Sequence, residues 1–359
     1  MPEGKVTRRQ FVQTTAAATA VVAAGAAAAE VPKSKIVNYN ENMEYRLWGK
    51  AGLMISAVCL GGHWKRIDKM VPGVFKSRSW LSAKLDDNGF IKNRTDVVSR
   101  CIDVGINHID ACTIEEVRAY ARAVKGRREK MHLGCSWYQR ELRNGRCRTK
   151  KALLNTLDWG MKDAGLDYVD LWRITMHERS SRHTDGEVEE MMAALEAAKK
   201  AGKARFIGFS SHDRPHIAKL IKAYPDTVDA IVTPYTAKTT EAPKDSLFPV
   251  IKEHNVGFFG IKPFASNSLF KGDSSPGNPH AEEDDKRARL AIRYILCNDT
   301  ITAPIPGMIN THQVDNVAKA VTEARQLNKA EAQELQDAMN EAWAKLPRDY
   351  QWLKDWECV

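Results

Sequence analysis

The sequence predicts a single-domain α/β protein, a (β/α)8 TIM barrel with long loops at the C-terminal face of its strands and a C-terminal helix plus tail. Three observations predict it. From about Met43 onward, short apolar runs alternate with amphipathic stretches, the order that builds a parallel sheet with helical crossovers. Eight such runs are present, one for each strand of a closed barrel. The length of 359 residues exceeds one average domain but is ordinary for one barrel of this kind.

The strands are expected at Ala57–Leu60, Ile106–Asp110, Met131–Ser136, Tyr168–Thr175, Ala204–Ser210, Asp229–Thr233, Gly257–Lys262 and Ile301–Ile305. Helix signals lie between them. Thr95 precedes an amphipathic run, Thr184 and Glu187 have the spacing of a capping box, and Asp213 stands before Pro215 at the start of another helix. Gly105 and Gly202 stand where helices end in the left-handed conformation. Three long stretches follow strands: residues 64–94, rich in Trp, Lys and Asp, the basic residues 137–149, and the Gly/Pro/Ser-rich residues 271–281. In such a barrel, loops that follow strands share the face where active sites are built. A last helix from Asn328 carries Leu335, Met339 and Trp343 on one face, and the tail beyond it holds Trp352 and Trp356, which suit either a cover over the barrel mouth or packing against helices.

Residues 1–29 are read as an export leader and 30–42 as a linker; 43–325 form the barrel and 326–359 the final helix and tail. Thr7, Arg8, Arg9, Gln10, Phe11 and Val12 resemble the signal read by the twin-arginine translocase, followed by a weakly apolar, Ala-rich stretch. Thr14–Ala29 is shorter and less apolar than the ~20 residues needed to span a bilayer. The reading implies a protein that folds before export to the periplasm, with the translocase as a transient partner and no stable membrane insertion.

Hydrophobic residues make up 43% of the chain, enough for a globular core. The formal charge of +9 is spread along the sequence, and the basic cluster Arg140–Lys151 reads as solvated flanks with no accompanying nucleic-acid motif. The seven cysteines include no CxxC pair, which argues against a zinc ribbon or a cysteine-held cluster, and their apolar surroundings favour buried thiols over disulfides.

The segments MEYRLWGKAGLMISAVCLGG, GINHIDA, LDYVDLW, KARFIGFSS and ITAPIPGMINTHQVDNV occur in an order that resembles the aldo/keto reductase superfamily over residues 43–321. The resemblance implies a (β/α)8 barrel that takes NADP or NAD in an extended pose without a Gly-rich fingerprint. It also implies carbonyl reduction by an Asp, Tyr, Lys and His set, in which Tyr passes the proton and a nearby ammonium eases its ionisation. Asp110 matches the family aspartate. The Tyr expected five residues later is missing, Ser136 takes the lysine place, and Thr175 falls where the family His stands, with His177 two residues beyond. For the nucleotide, Ser210 and Ser211 resemble the pair that holds the carboxamide, while Val232 and Ile261 replace a usual Gln and aromatic residue. Gly307 and Gln313 replace cations that hold a 2′-phosphate, and Met308 and Asn316 flank them.

Polar residues at strand ends offer replacements for the lost set: His63, Asp110, Ser136, Tyr138, His177, His212, Asp213 and Lys262. Tyr138 and Lys262 suggest a rebuilt phenol and ammonium pair. Lys262 equally suits a simple ion pair with Asp110 or another carboxylate. His177, His212 and Asp213 carry donor atoms for a divalent ion, although loop histidines more often have solvated or structural roles, and no metal is assigned. Trp64, Trp137 and Trp172 suit either a stacking wall for a sugar-like face or lid packing. Two functions follow: an exported nicotinamide-dependent oxidoreductase acting on a small carbonyl or sugar-like substrate with a non-standard proton donor, or a barrel that has left redox chemistry for ligand binding or a hydride-independent reaction, with or without a metal.

Overall fold

The structure, a computed structural model, describes residues 31–239 and 247–356. The leader assigned to residues 1–29 lies outside the described residues. The first ordered sheet is a hairpin that the strand pattern does not announce: β1 (Tyr45–Trp48) pairs antiparallel with β2 (Leu53–Ser56). Its turn runs through Gly49 and Gly52 at φ +39° and +68°, a left-handed backbone that glycine adopts without a Cβ clash. The hairpin drives Trp48 into the N-terminal end of the barrel, where it is fully buried against His108, Phe206 and Phe259.

Eight parallel strands follow: β3 (Leu60–Gly61), β4 (His108–Ala111), β5 (His132–Cys135), β6 (Val169–Thr175), β7 (Ala204–Ser210), β8 (Ala230–Pro234), β9 (Gly257–Ile261) and β10 (Ala303–Ile305). They pair in chain order. Gly61 bridges Gly307 across the seam, and the Cys59 and Gly61 amides donate to Pro304 O and Pro306 O at 3.0 and 2.8 Å. A Cβ on Gly307 would come within 2.6 Å of Gly62 O, so glycine is what permits the barrel to close here. The expected first strand shifts toward its C-terminal end because only Leu60 and Gly61 pair with β4, while Ala57, Val58 and Cys59 lead in as buried chain.

The helices are α1 (Asn88–Asp103), α2 (Ile114–Ala123), α3 (Lys150–Ala164), α4 (Asp185–Lys200), α5 (Arg214–Ala223), α6 (Leu247–Glu253), α7 (Ala281–Leu296), α8 (Thr311–Thr322) and α9 (Lys329–Ala344), with a final turn α10 (Leu353–Trp356). Both capping boxes, Thr184 with Glu187 and Asn328 with Glu331, form on both sides. Thr95 is not a helix start: α1 begins about two turns earlier, where Asp87 Oδ1 accepts from the Phe90 amide at 2.9 Å. Trp64, Trp137 and Trp172 are core residues, each at most 1% exposed, and none lines a wall for a ligand. Trp137 fills the space left by Gly160, where a Cβ would lie 2.3 Å from its ring.

Among the described residues no cysteine is in a disulfide. Cys59, Cys101 and Cys135 are buried as expected, whereas Cys297 is exposed at the end of α7. Within the basic 137–149 loop, Arg143 pairs with Glu178 and Arg148 with Glu187, while Arg140 lies over the Trp159 ring. No helix among the described residues is long and apolar enough to cross a membrane.

Candidate active site

Opposite the hairpin plug, the C-terminal ends of the strands enclose a cavity of about 870 Å³, within the range of small-molecule sites. All three long loops reach it, with Trp80 from the first, Tyr138 from the second and Asn278 from the third. The tail covers part of the mouth. Tyr350 and Trp352 line the cavity, and the Trp352 indole stacks on His212 with ring centres 4.3 Å apart. The side chain of Trp356 lies outside the described residues.

The floor is a closed polar chain. Period-2 alternation along β6 turns Arg173 and Thr175 to the same side as Asp110. Arg173 grips Asp110 through two parallel bonds, Nε to Oδ1 at 2.7 Å and Nη2 to Oδ2 at 2.5 Å, and its Nη1 donates to Thr175 Oγ1 at 3.1 Å. Thr175 Oγ1 meets Ser136 Oγ at 2.7 Å, and Ser136 donates to Glu141 Oε2 at 2.5 Å. Glu141 also accepts from the Thr175 and Trp137 amides and the Trp172 indole. Burial raises its carboxyl above the ordinary range in spite of these donors. Lys262 therefore does not pair with Asp110, because Arg173 already occupies both carboxylate oxygens. Arg173 escaped the sequence reading, although a lone cation inside the apolar run VDLWRIT was the signal for it.

One wall holds a second group. Glu116, with no exposed surface, accepts from the His63 amide at 2.5 Å, His63 Nδ1 at 2.9 Å and the Cys112 amide at 2.7 Å. Cys112 Sγ stands 3.8 Å from the same ring nitrogen. Burial alone would raise the Glu116 carboxyl, but His63 and the two amides outweigh it and hold it below its usual value. Burial pushes His63 down and the Cys112 thiol up. A Cβ on Gly62 would lie 2.1 Å from the Glu116 carboxylate, so that glycine makes room for the acid.

Across the mouth, Lys65 donates to the Tyr350 hydroxyl and, at 3.1 Å, to Ser266 Oγ. Lys262 Nζ lies 5.4 Å from the centre of the same Tyr350 ring. Neither lysine has a carboxylate at ion-pair distance among the described residues, and burial together with Lys262 brings Lys65 down to about 7. His63 and Lys262 sit at φ 58° and 64°, left-handed conformations that cost non-glycine residues energy and recur at functional sites.

Asp110, Tyr138, Lys262, Ser210, Gly307, Met308, Gln313 and Asn316 thus line one cavity. Tyr138 and Lys262 do not form the suggested pair: the cation over the Tyr138 ring is Arg143, at 5.8 Å, and the ring beside Lys262 is Tyr350. His177 lies outside the lining, bonded to Arg148 at 3.0 Å and stacked on His183. Ser211 is turned into the chain, donating to Ser180 Oγ at 2.7 Å. Asn316 lines the cavity with its amide engaged by Arg289 and Asp285 O, and Gln313 Oε1 accepts from the Ile309 amide. His177, His212 and Asp213 do not converge on an ion, since Asp213 caps α5 and His212 packs under Trp352.

Residues 92–289, more than half of the sequence, match the model of the aldo/keto reductase family. The chain belongs to this family. It is 27% identical to an L-galactose dehydrogenase of Arabidopsis thaliana, over 48% of this chain and 58% of the plant protein. The match therefore spans less than two thirds of that relative's length. It is 21% identical to an L-glyceraldehyde 3-phosphate reductase of Escherichia coli K12, over 78% of this chain and 88% of that protein. Among solved structures, aldo-keto reductase AKR11C1 from Bacillus halodurans, in its holo form, superposes with a TM-score of 0.58 at 22% identity, covering 82% of this chain and 96% of that one. At that identity the likeness supports the (β/α)8 fold, which the aldo/keto reductase chain here shares.

Proposed function

We propose that this aldo/keto reductase is a nicotinamide-nucleotide-dependent oxidoreductase acting on a small carbonyl or sugar-like substrate with a non-standard proton donor. The observation that supports it most is the continuity of the cavity, which runs from Asp110 and Ser210 at the strand ends to Gln313 and Asn316 on α8. That arc fits an elongated nucleotide: Ser210 would meet the nicotinamide end, and Gly307, Met308, Gln313 and Asn316 the far end. When bound, the nucleotide supplies the hydride. With Gln313 in place of a cation, and the Asp285 carboxylate beside His312 in the same lining, this end favours NAD over NADP.

The proton must come from the chain. The family positions are spent, because Asp110, Thr175 and Ser136 are tied into the Arg173–Glu141 network; this is the degenerate tetrad. Of the two phenols on the cavity, Tyr350 is better placed than Tyr138, since Lys65 donates to its hydroxyl and Lys262 flanks its ring. In reduction the Tyr350 proton passes to the carbonyl oxygen and the lysines stabilise the phenolate left behind.

The motif at Thr7–Val12 supports export by the twin-arginine pathway and a periplasmic location. Folding before export would let a tightly held nucleotide travel with the protein. The experiment is to purify the mature chain, denature it and assay the supernatant for nucleotide by fluorescence and mass. About one nucleotide per chain is expected. An apo protein that also fails to bind added NADH or NADPH overturns the reading in favour of hydride-independent chemistry, the alternative suggested by the closed floor network.

A further inference from the structure

We propose that His63, Cys112 and Glu116 form a binding site for a borderline divalent metal ion such as Zn²⁺, with an open coordination position facing the cavity. Among the described residues this is the one trio of such donors whose ligand atoms all fall within 4.8 Å of one another. The set combines imidazole nitrogen, thiolate sulfur and carboxylate oxygen, which suits Zn²⁺ better than Mg²⁺ or Ca²⁺.

Around a tetrahedral ion with bonds of about 2.0–2.3 Å, ligand atoms stand about 3.3–3.7 Å apart. His63 Nδ1 is 2.9 Å from Glu116 Oε1 and 3.8 Å from Cys112 Sγ, one slightly short of that spacing and one slightly beyond it. Small side-chain movements therefore make the site. The carboxylate is already aimed: the His63 amide holds Oε1 and the Cys112 amide holds Oε2, the kind of outer support that orients metal ligands. The left-handed backbone at His63 and the missing Cβ at Gly62 bring the ring and the acid together. Three protein ligands beside a ligand cavity is the composition of catalytic rather than structural zinc.

The charges balance. Binding moves the His63 proton from Nδ1 to Nε2, so that Nδ1 offers its lone pair, and releases the Cys112 thiol proton to solvent. One divalent ion with one thiolate and one carboxylate is a neutral centre, so the site passes from the single negative charge of Glu116 to zero, and the ion brings no excess positive charge of its own to the cavity that Lys262 shares. The open position would hold water or a substrate oxygen, and the ion would polarise it as a Lewis acid. The site does not depend on a nicotinamide nucleotide, and its test reads metal alone.

The purified, metal-stripped full chain is titrated with Co²⁺ under reducing conditions, with absorbance and proton release recorded. One equivalent is expected to give intense tetrahedral d–d bands and a sulfur-to-cobalt charge-transfer band, with about one proton released per ion and displacement by Zn²⁺. Cys112→Ser should abolish the charge-transfer band, and His63→Asn, which keeps a residue tolerant of the left-handed backbone, should weaken binding ten- to a hundred-fold. Thermal melts of both variants report that they are folded. Absence of stoichiometric binding by the wild-type chain, or spectra unchanged by Cys112→Ser, overturns the proposal whether or not nucleotide is found.

Discussion

Arg173 and Asp110 form a buried bidentate ion pair on the floor of the cavity, with both carboxylate oxygens held within 2.7 Å of the guanidinium. The side chains are 3% and 6% exposed, so water screens the pair little. Arg173→Met leaves a buried carboxylate without its partner and should cost about 3–5 kcal/mol of stability. Adding Asp110→Asn removes the stranded charge and should recover more than half of that loss. A double-mutant cycle in urea checks this, and additive single losses would show that the two residues do not act as a unit.

If Tyr350 is the donor, Tyr350→Phe should lower kcat about 10²- to 10⁴-fold with little change in nucleotide affinity, while Tyr138→Phe costs less than ten-fold. Lys65→Met should lower kcat in the same sense by removing the donor to the phenol. Steady-state rates with nucleotide binding measured separately decide the matter, and the reverse ranking of the two tyrosine variants would assign the proton to Tyr138.

Gln313→Arg should shift nucleotide preference toward NADP by about ten-fold or more, since a hydrogen bond to a charged group contributes about 1.5–3 kcal/mol. Calorimetric titration of wild type and variant with both nucleotides measures it. An unchanged ratio would place the 2′-phosphate away from α8.

His108 should make the fold acid-sensitive. Its ring is buried at the hairpin end, stacked on Phe259 at 4.8 Å, with neither nitrogen hydrogen-bonded. Burial, aided by neighbouring His132, lowers it to about 3. An unfolded imidazole takes up its proton near 6.5, so the unfolded chain binds the extra proton first and stability falls as pH drops from about 6.5 toward 3. The loss is on the order of 4 kcal/mol across that window. Below about 4, Asp170 adds to it. Burial would raise that carboxyl, but Arg128, His132 and Arg205 outweigh it and hold it well below its usual range, and that stabilisation disappears on protonation. His108→Leu should flatten the upper part of the decline and add about 1–2 kcal/mol at pH 7 by removing two unpaired buried nitrogens. Denaturant midpoints from pH 8 to 4 test it, and parallel profiles for the two proteins would rule out His108 as the titrating group.

Most of the barrel was legible because its signals are local. Each buried parallel strand is a short apolar run, and the capping boxes at Thr184 and Asn328 each complete themselves within four residues. The β1–β2 hairpin was not legible, since YRLW and LMIS carry mixed patterns and are held by packing of Trp48 against β7 and β9 rather than by their own periodicity.

The site divides along the same line. The sequence by itself determined that the chain makes a (β/α)8 barrel and that Asp110, Ser136 and Thr175 stand at the ends of neighbouring strands. The partners of these residues were decided only by the tertiary structure. Arg173 captures Asp110 across 63 residues, Glu116 reaches back 53 residues to His63, and Tyr350 comes from the tail to Lys65 across 285. Hydrogen bonds and ion pairs act over a few ångströms, so they depend on which atoms closure of the barrel brings together, and no spacing along the chain encodes that meeting.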